Sequence, residues 1–204
     1  MRQAVDIALL PRVRDAVPLI ALNEELIDRR DDEIRLAQIP GRGRGLPHLS
    51  LLMGVLEPEA VGAVGDALAA IAHASAVIHA TARGLEAEGA TAGVATIALA
   101  LDASPELLAL RKTVIETIAP LLHADARRDD LLEAEDGDAE RALTYIRGYL
   151  ERAEQGEFRP HITIGRGEKP TGPAPEALVF DRLGLYGLGP GCTCRREIFG
   201  IDLR

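Results

Sequence analysis

The sequence predicts an α+β fold. Short strand-like runs gather near both ends of the chain, helical stretches lie between them, and no steady βαβ rhythm joins the two. The first run, Val5-Asp6-Ile7-Ala8-Leu9-Leu10, ends at Pro11 and reads as a buried strand. From Pro18 to about Leu36, Ile20, Leu22, Leu26, Ile27 and Ile34 recur among charges, which predicts an amphipathic helix. Gly41-Arg42-Gly43-Arg44-Gly45 is a basic loop, and His48 to Val55 is a second strand. Pro58 opens a long Ala-rich helix to about Arg83, with Pro58 and Glu59 suited to its first turn.

Ala90 to Leu101 is rich in Val, Thr and Ile and reads as a strand. Ser104-Pro105-Glu106 starts a helix to about Leu122, with Ser104 as cap and Pro105 at the first helical position. Asp125 to Asp138 is heavily charged and reads as an exposed connection. Ala139 to about Glu154 is a further helix. Strands follow at Pro160–Gly165, Leu178–Leu188 and Thr193–Leu203, with Gly187, Gly189, Pro190 and Gly191 marking a turn between the last two. No linker divides the chain, so residues 1–204 form one domain.

Composition narrows the function. The chain has 204 residues, enough for a core without disulfides or metal, and its net charge is −9. Duplex-coating proteins draw their affinity from Lys and Arg, so bulk duplex binding is not expected. Three Phe, three Tyr and no Trp leave little for a long base-stacking platform. Cys192 and Cys194 read as two strand residues in a reducing compartment, where a bridge between them would be strained. No apolar run reaches the ~18 residues of a membrane span, and charges and prolines interrupt residues 4–22, so no signal peptide is read there. A cytoplasmic monomer with no membrane partner is expected.

One pattern stands out. Pro47-His48-Leu49-Ser50-Leu51 returns 113 positions later as Pro160-His161-Ile162-Thr163-Ile164. On a strand, residues i and i+2 share a face, so His48 projects with Ser50 and His161 with Thr163. The aliphatics point the other way, into a core. Two imidazoles near neutrality can serve as general base and general acid. Two hydroxyls can hold the non-bridging oxygens of a phosphate. In-line attack on a strained cyclic phosphodiester needs no metal.

Taken singly, most of these residues have plainer uses. One such strand would be structural, and only the repeat favours a paired site. His73, His79 and His123 fall in or beside predicted helices, with surface or core roles. No third ligand stands at a zinc spacing, so neither a metal nor another cofactor is expected. Arg42 and Arg44 read as a solvated loop, and Phe158 and Arg159 could stack on a base or belong to the core.

At these residues the sequence resembles the 2H phosphoesterase superfamily, in its 2′-5′ RNA ligase / RNA 2′,3′-cyclic phosphodiesterase branch. Nearly the whole chain takes part: an opening strand closed by proline, a motif near residue 50, a second in the last quarter, and a closing strand pair. The resemblance implies two pseudo-symmetric lobes, each an antiparallel sheet flanked by helices, around a central cleft. It implies His48 and His161 as catalytic residues, with Ser50, Thr163 and Arg166 (from His-x-Thr-x-x-Arg) on the substrate phosphate. The first motif continues Leu52-Met53-Gly54, without the aromatic common in that branch. The expected reaction is hydrolysis of a 2′,3′-cyclic phosphate on a small cyclic nucleotide or an RNA 3′ end, with 2′-5′ ligation as its reverse. His161 is assigned as base and His48 as acid, on central strands of opposing lobes. A cyclic phosphate of ADP-ribose, a 2′,5′-oligonucleotide, or a non-catalytic nucleotide-binding module are the alternatives.

Overall fold

A computed structural model describes residues 1–27, 34–91, 94–134 and 139–204. Seven strands form an antiparallel sheet: β1 (Gln3–Pro11), β2 (Leu49–Leu56), β3 (Ile78–Thr91), β4 (Val94–Leu101), β5 (His161–Arg166), β6 (Ala177–Gly189) and β7 (Thr193–Asp202). Their order is β2-β1-β6-β3-β4-β5, with β7 also paired to β6. β6 joins the two halves. Its start pairs with β3 at residues 78–81, and its remainder lies between β1 and β7. Past that junction β3 continues as the partner of β4. One lobe is therefore β7-β6-β1-β2 and the other β3-β4-β5, as the α+β bilobal reading expects.

The helices are α1 (Val13–Ile27), α2 (Val61–His73), α3 (Pro105–Ile118), α4 (Ala139–Arg147) and α5 (Tyr149–Glu154). α1 follows β1 in sequence yet packs on β5, and α4 and α5 pack on β2, so helices tie the lobes together. The core is continuous. Leu51, Ile162 and Ile164 are wholly buried and Leu49 nearly so, as strand alternation predicts. Each such aliphatic contributes about 2 kcal/mol by leaving water. Among the described residues no helix is long and apolar enough to cross a membrane.

Several elements depart from the sequence expectations. α1 starts at Val13 and holds Pro18 inside it, because a proline in the second turn costs one backbone bond while Leu19, Leu22 and Leu26 bury the helix's apolar face. Its predicted continuation, residues 28–33, lies outside the described residues. The Ala-rich stretch is not one helix. α2 ends at His73, and Ile78 to Thr91 form the long strand β3, which places exposed His79 on a strand. Alanine's helix preference is worth under about 1 kcal/mol per residue, and pairing with β6 and β4 outweighs it. The last helix breaks at Gly148 into α4 and α5. Ser104 caps α3 as predicted, accepting from the Leu107 N–H at 3.2 Å. The charged connection is not simply exposed: Arg2 binds Asp125 and Asp130, and Asp130 is buried. Residues 135–138 of that connection lie outside the described residues. Cys192 stands in a turn at φ 55°, beside Gly191 at φ 67°, so only Cys194 is a strand residue.

Candidate active site

All five residues singled out by the motifs line one cleft of about 1510 Å³: His48, Ser50, His161, Thr163 and Arg166. Their strands are not central. β2 and β5 are the two ends of the sheet, and they approach each other across the cleft. A sheet that curls until its ends meet brings two terminal strands together as readily as two middle ones.

The two half-sites share a backbone device. The register of β1 on β2 slips between Ile7↔Leu52 and Ala8↔Ser50, leaving Leu51 as an extra residue. The register of β4 on β5 slips between Ile97↔Gly165 and Ala98↔Thr163, leaving Ile164 extra. Each bulge thus follows the motif hydroxyl by one residue. Strict alternation would turn Arg166, three positions after Thr163, to the opposite face. The bulge returns it to the face of Thr163, where it pairs with Thr96. Met53 is the matching residue of the first half, paired with Asp6.

A second shared device fixes the imidazoles. His48 Nδ1 lies 2.7 Å from the Leu46 carbonyl, and His161 Nδ1 lies 2.8 Å from the Arg159 carbonyl. In both motifs the partner is the residue before the proline, whose fixed φ sets that carbonyl's direction. A ring that donates Nδ1–H to a carbonyl leaves Nε2 bare, ready to take a proton or, once charged, to give one.

The surroundings of the rings differ. Asp6, fully buried on β1, accepts a hydrogen bond from Ser50 Oγ at 2.6 Å, and its Oδ2 lies 3.5 Å from His48 Nε2. Burial pushes the Asp6 carboxyl well above the usual carboxylate range, against the hydrogen bonds from Ser50 and Cys194. Burial likewise lowers the His48 imidazolium to about 4, and the charge of His161 acts in the same direction. Both shifts favour the neutral forms, and at this separation the two groups titrate as a pair. Asp6 was visible in the sequence only as a charge within an apolar strand. Its pairing with Met53 aims it at the site. Ser50 consequently spends its hydrogen on Asp6 in this arrangement. A protonated Asp6 can donate to Ser50 instead and free that hydrogen for a phosphate oxygen.

Asn23 is a second residue that the sequence hid. Fully buried on α1, it donates to the carbonyls of Ile34 and Ile164 at 2.7 Å each and accepts from the Leu36 N–H at 2.8 Å. It thereby clamps the bulge residue of β5. Farther along the cleft the Arg111 guanidinium lies 4.3 Å from the centre of the Phe158 ring, and Arg152 lies 4.8 Å from that of Tyr145. Arg159 also lines the cleft, whereas Arg42 and Arg44 are exposed on their loop, away from it. The His123 backbone bridges to Val55 on β2.

Spacing along the chain offered no third metal ligand, yet folding gathers one. Asp6, His48 and Cys194 place their ligating atoms within 4.8 Å of one another. They come from three separate strands or strand approaches, which no linear spacing shows.

Comparisons with known proteins agree with this architecture. TT0787 of Thermus thermophilus is 18% identical, with all of this chain and 98% of that one aligned and a TM-score of 0.59. E. coli LigT complexed with 3'-AMP is 17% identical over 100% and 99% of the chains, with a TM-score of 0.51. A further structure described as a phosphoesterase is 16% identical over 100% and 99%, also at 0.51. At such identities the likeness is one of fold. No curated protein matches the sequence. The family model for the 2'-5' RNA ligase superfamily matches residues 23–185, both motifs included, and the chain therefore belongs to that superfamily of 2H phosphoesterases.

Proposed function

We propose that this protein is a metal-independent phosphodiesterase that opens the 2′,3′-cyclic phosphate of an RNA end or nucleotide, with 2′-5′ ligation as the reverse reaction. The observation that carries this reading is the paired half-site. Two imidazoles with carbonyl-held Nδ1 line one cleft, each beside a hydroxyl on the same strand face. Water attacks phosphorus as His161 takes its proton, and His48 gives a proton to the departing ribose oxygen. His48 is assigned the acid role because the Asp6 carboxylate, 3.5 Å from its Nε2, can stabilise the imidazolium against the burial that lowers it. Thr163 and Arg166, on one face, hold the phosphate oxygens, and Ser50 joins them when Asp6 releases its hydroxyl hydrogen.

The cleft's charge and size support this substrate. In a chain of net charge −9, Arg111, Arg141, Arg152, Arg159 and Arg166 line it against Glu86, Glu88, Glu140 and Glu157, so the cleft is slightly basic where the chain as a whole is acidic. Its volume, about 1510 Å³, exceeds the roughly 300–1,000 Å³ of ordinary small-ligand sites and leaves room for nucleotides beyond the reacting ribose. The LigT structure with 3'-AMP is consistent with a nucleotide phosphate in such a cleft.

The test is a panel of substrates offered to purified protein, with products identified by phosphorus NMR. It includes cyclic mononucleotides, RNA ending in a cyclic phosphate, cyclic phosphates of ADP-ribose and 2′,5′-linked oligonucleotides. Opening of the RNA-terminal or nucleoside cyclic phosphates is the expected result. Binding without turnover of any member would replace the enzyme with a nucleotide-binding module.

A further inference from the structure

We infer that Asp6, His48 and Cys194 form a binding site for a thiophilic divalent cation, zinc above all, and that its occupation silences the two-histidine reaction by capturing His48 Nε2. The donor set is a carboxylate, an imidazole and a thiol, a mixture that suits Zn²⁺ and excludes the hard cations Mg²⁺ and Ca²⁺. Tetrahedral zinc with bonds of about 2.1 Å to oxygen and nitrogen and about 2.3 Å to sulfur needs ligand separations of about 3.4 Å (O···N) and about 3.6 Å (O···S). The corresponding separations here are 3.5 Å from Asp6 Oδ2 to His48 Nε2 and 3.9 Å from Asp6 Oδ2 to Cys194 Sγ. Adjustments of a few tenths of an ångström bring these two pairs to zinc distances, and the third pair, His48 Nε2 and Cys194 Sγ, lies within 4.8 Å and closes toward about 3.6 Å on binding.

Three further observations point to a cation. Asp6 is fully buried, and its Oδ1, the oxygen other than the one nearest Ser50, His48 and Cys194, has no hydrogen-bond partner among the described residues, so the buried carboxylate is only half satisfied. The ligands also carry the outer partners that metal sites require. A ligating histidine donates its other ring N–H to a carbonyl, as His48 Nδ1 does to Leu46, and a ligating carboxylate is itself hydrogen-bonded, as Asp6 is by Ser50. Cys194 and Asp6 are sealed in the core while His48 lines the cleft, so the fourth coordination position opens toward water or a phosphate oxygen. Binding releases to solvent the thiol proton and any proton held by Asp6 or His48 Nε2.

The inhibitory part rests on the proposed function, whereas the binding part stands alone. The chelator-treated chain is titrated with Co²⁺ and followed by its thiolate-to-cobalt charge-transfer band, and Zn²⁺ binding is measured by competition with a chromogenic chelator. One equivalent should produce the band, Cys194→Ala should abolish it, and Cys192→Ala should keep it. Asp6→Asn and His48→Ala should weaken zinc binding at least 10-fold. Zinc should lower turnover at least 10-fold, with recovery on chelation, while Cys194→Ala keeps its own zinc-free rate in the same zinc. Absence of a thiolate band, a band indifferent to Cys194→Ala, or equal zinc sensitivity in that variant would overturn the inference. If no cyclic phosphate is opened at all, the functional reading fails and the cobalt band alone decides the site.

Discussion

Asn23 should be worth more to this protein than any other polar residue outside the cleft. Replacing it with alanine removes two donors and one acceptor at once. It leaves the carbonyls of Ile34 and Ile164 and the N–H of Leu36 inside the core without partners. All three belong to buried residues. An unsatisfied buried group costs about 1–3 kcal/mol, so with some relaxation the loss should be roughly 3–6 kcal/mol. A domain of this size has only about 5–15 kcal/mol in total. The assay is guanidinium unfolding of wild type and Asn23→Ala, with the denaturant slope checked for two-state behaviour. Asn23→Asp should be at least as damaging, because it keeps one bond and buries a charge beside two carbonyl oxygens. Turnover should fall as well, even where the variant is fully folded, since Ile164 is the bulge that aims Arg166. A stability loss under about 1 kcal/mol, with turnover intact, would show that water or a backbone shift replaces all three bonds.

Four other outcomes follow from the site. His48→Ala and His161→Ala should each lower cyclic phosphate turnover at least about 10²-fold, with the double variant little worse than the poorer single one, as kinetics on folded protein would show. Thr163→Val and Arg166→Met should cost roughly 10-fold to 10³-fold with the pH profile kept, because they touch the phosphate rather than the proton path. Turnover should survive exhaustive EDTA treatment, and a loss restored by added metal would end the two-histidine mechanism. The last outcome is a stability profile. Unfolded His48 takes a proton near pH 6.5 and the folded residue only near 4, so stability should fall as pH drops through that window, by on the order of 3 kcal/mol from this residue alone. His48→Gln should flatten that slope in pH-dependent thermal melts. Asp6 acts in the opposite sense: its folded form keeps a proton that the unfolded chain loses above about 3.8, so Asp6→Asn should gain on wild type as pH rises from 4.

Most strands were legible because their burial repeats at a short local period. Leu49, Leu51, Ile162 and Ile164 lie in the core for the reason their spacing suggests. β3 was not legible because it continues the Ala-rich run of α2. Ile78 and Ala80 do alternate in burial with His79 and Thr81, but the alternation is short and alanine's intrinsic preference pointed to helix. What makes them a strand is hydrogen bonding to β6 and β4, partners about a hundred and about fifteen residues away. The charged segment after Asp125 failed for a related reason: its anchor is Arg2, at the far end of the chain.

The active site divides in the same way. The two His-x-Ser/Thr pairs could be read because chemistry and spacing coincide within five residues. Arg166 could be placed only through its family motif, since alternation alone assigns it to the wrong face. The bulge that corrects it comes from a mismatch between β4 and β5 that neither strand shows by itself. Asp6 and Cys194 had no legible role, because each reads locally as one residue of a buried strand. Their significance lies in β1 and β7 both flanking β6 while β2 delivers His48 beside β1. The pseudo-symmetry makes the consequence sharper. Asp6 pairs with Met53 in one half as Thr96 pairs with Arg166 in the other, so the matching cross-strand pair holds an acid on its inner strand in one half and a cation on its end strand in the other. Two identical half-sites would present two equivalent imidazoles. The acid beside His48 and the guanidinium on the face of His161 make them inequivalent, which under the proposed reaction suits one ring to give a proton and the other to take it.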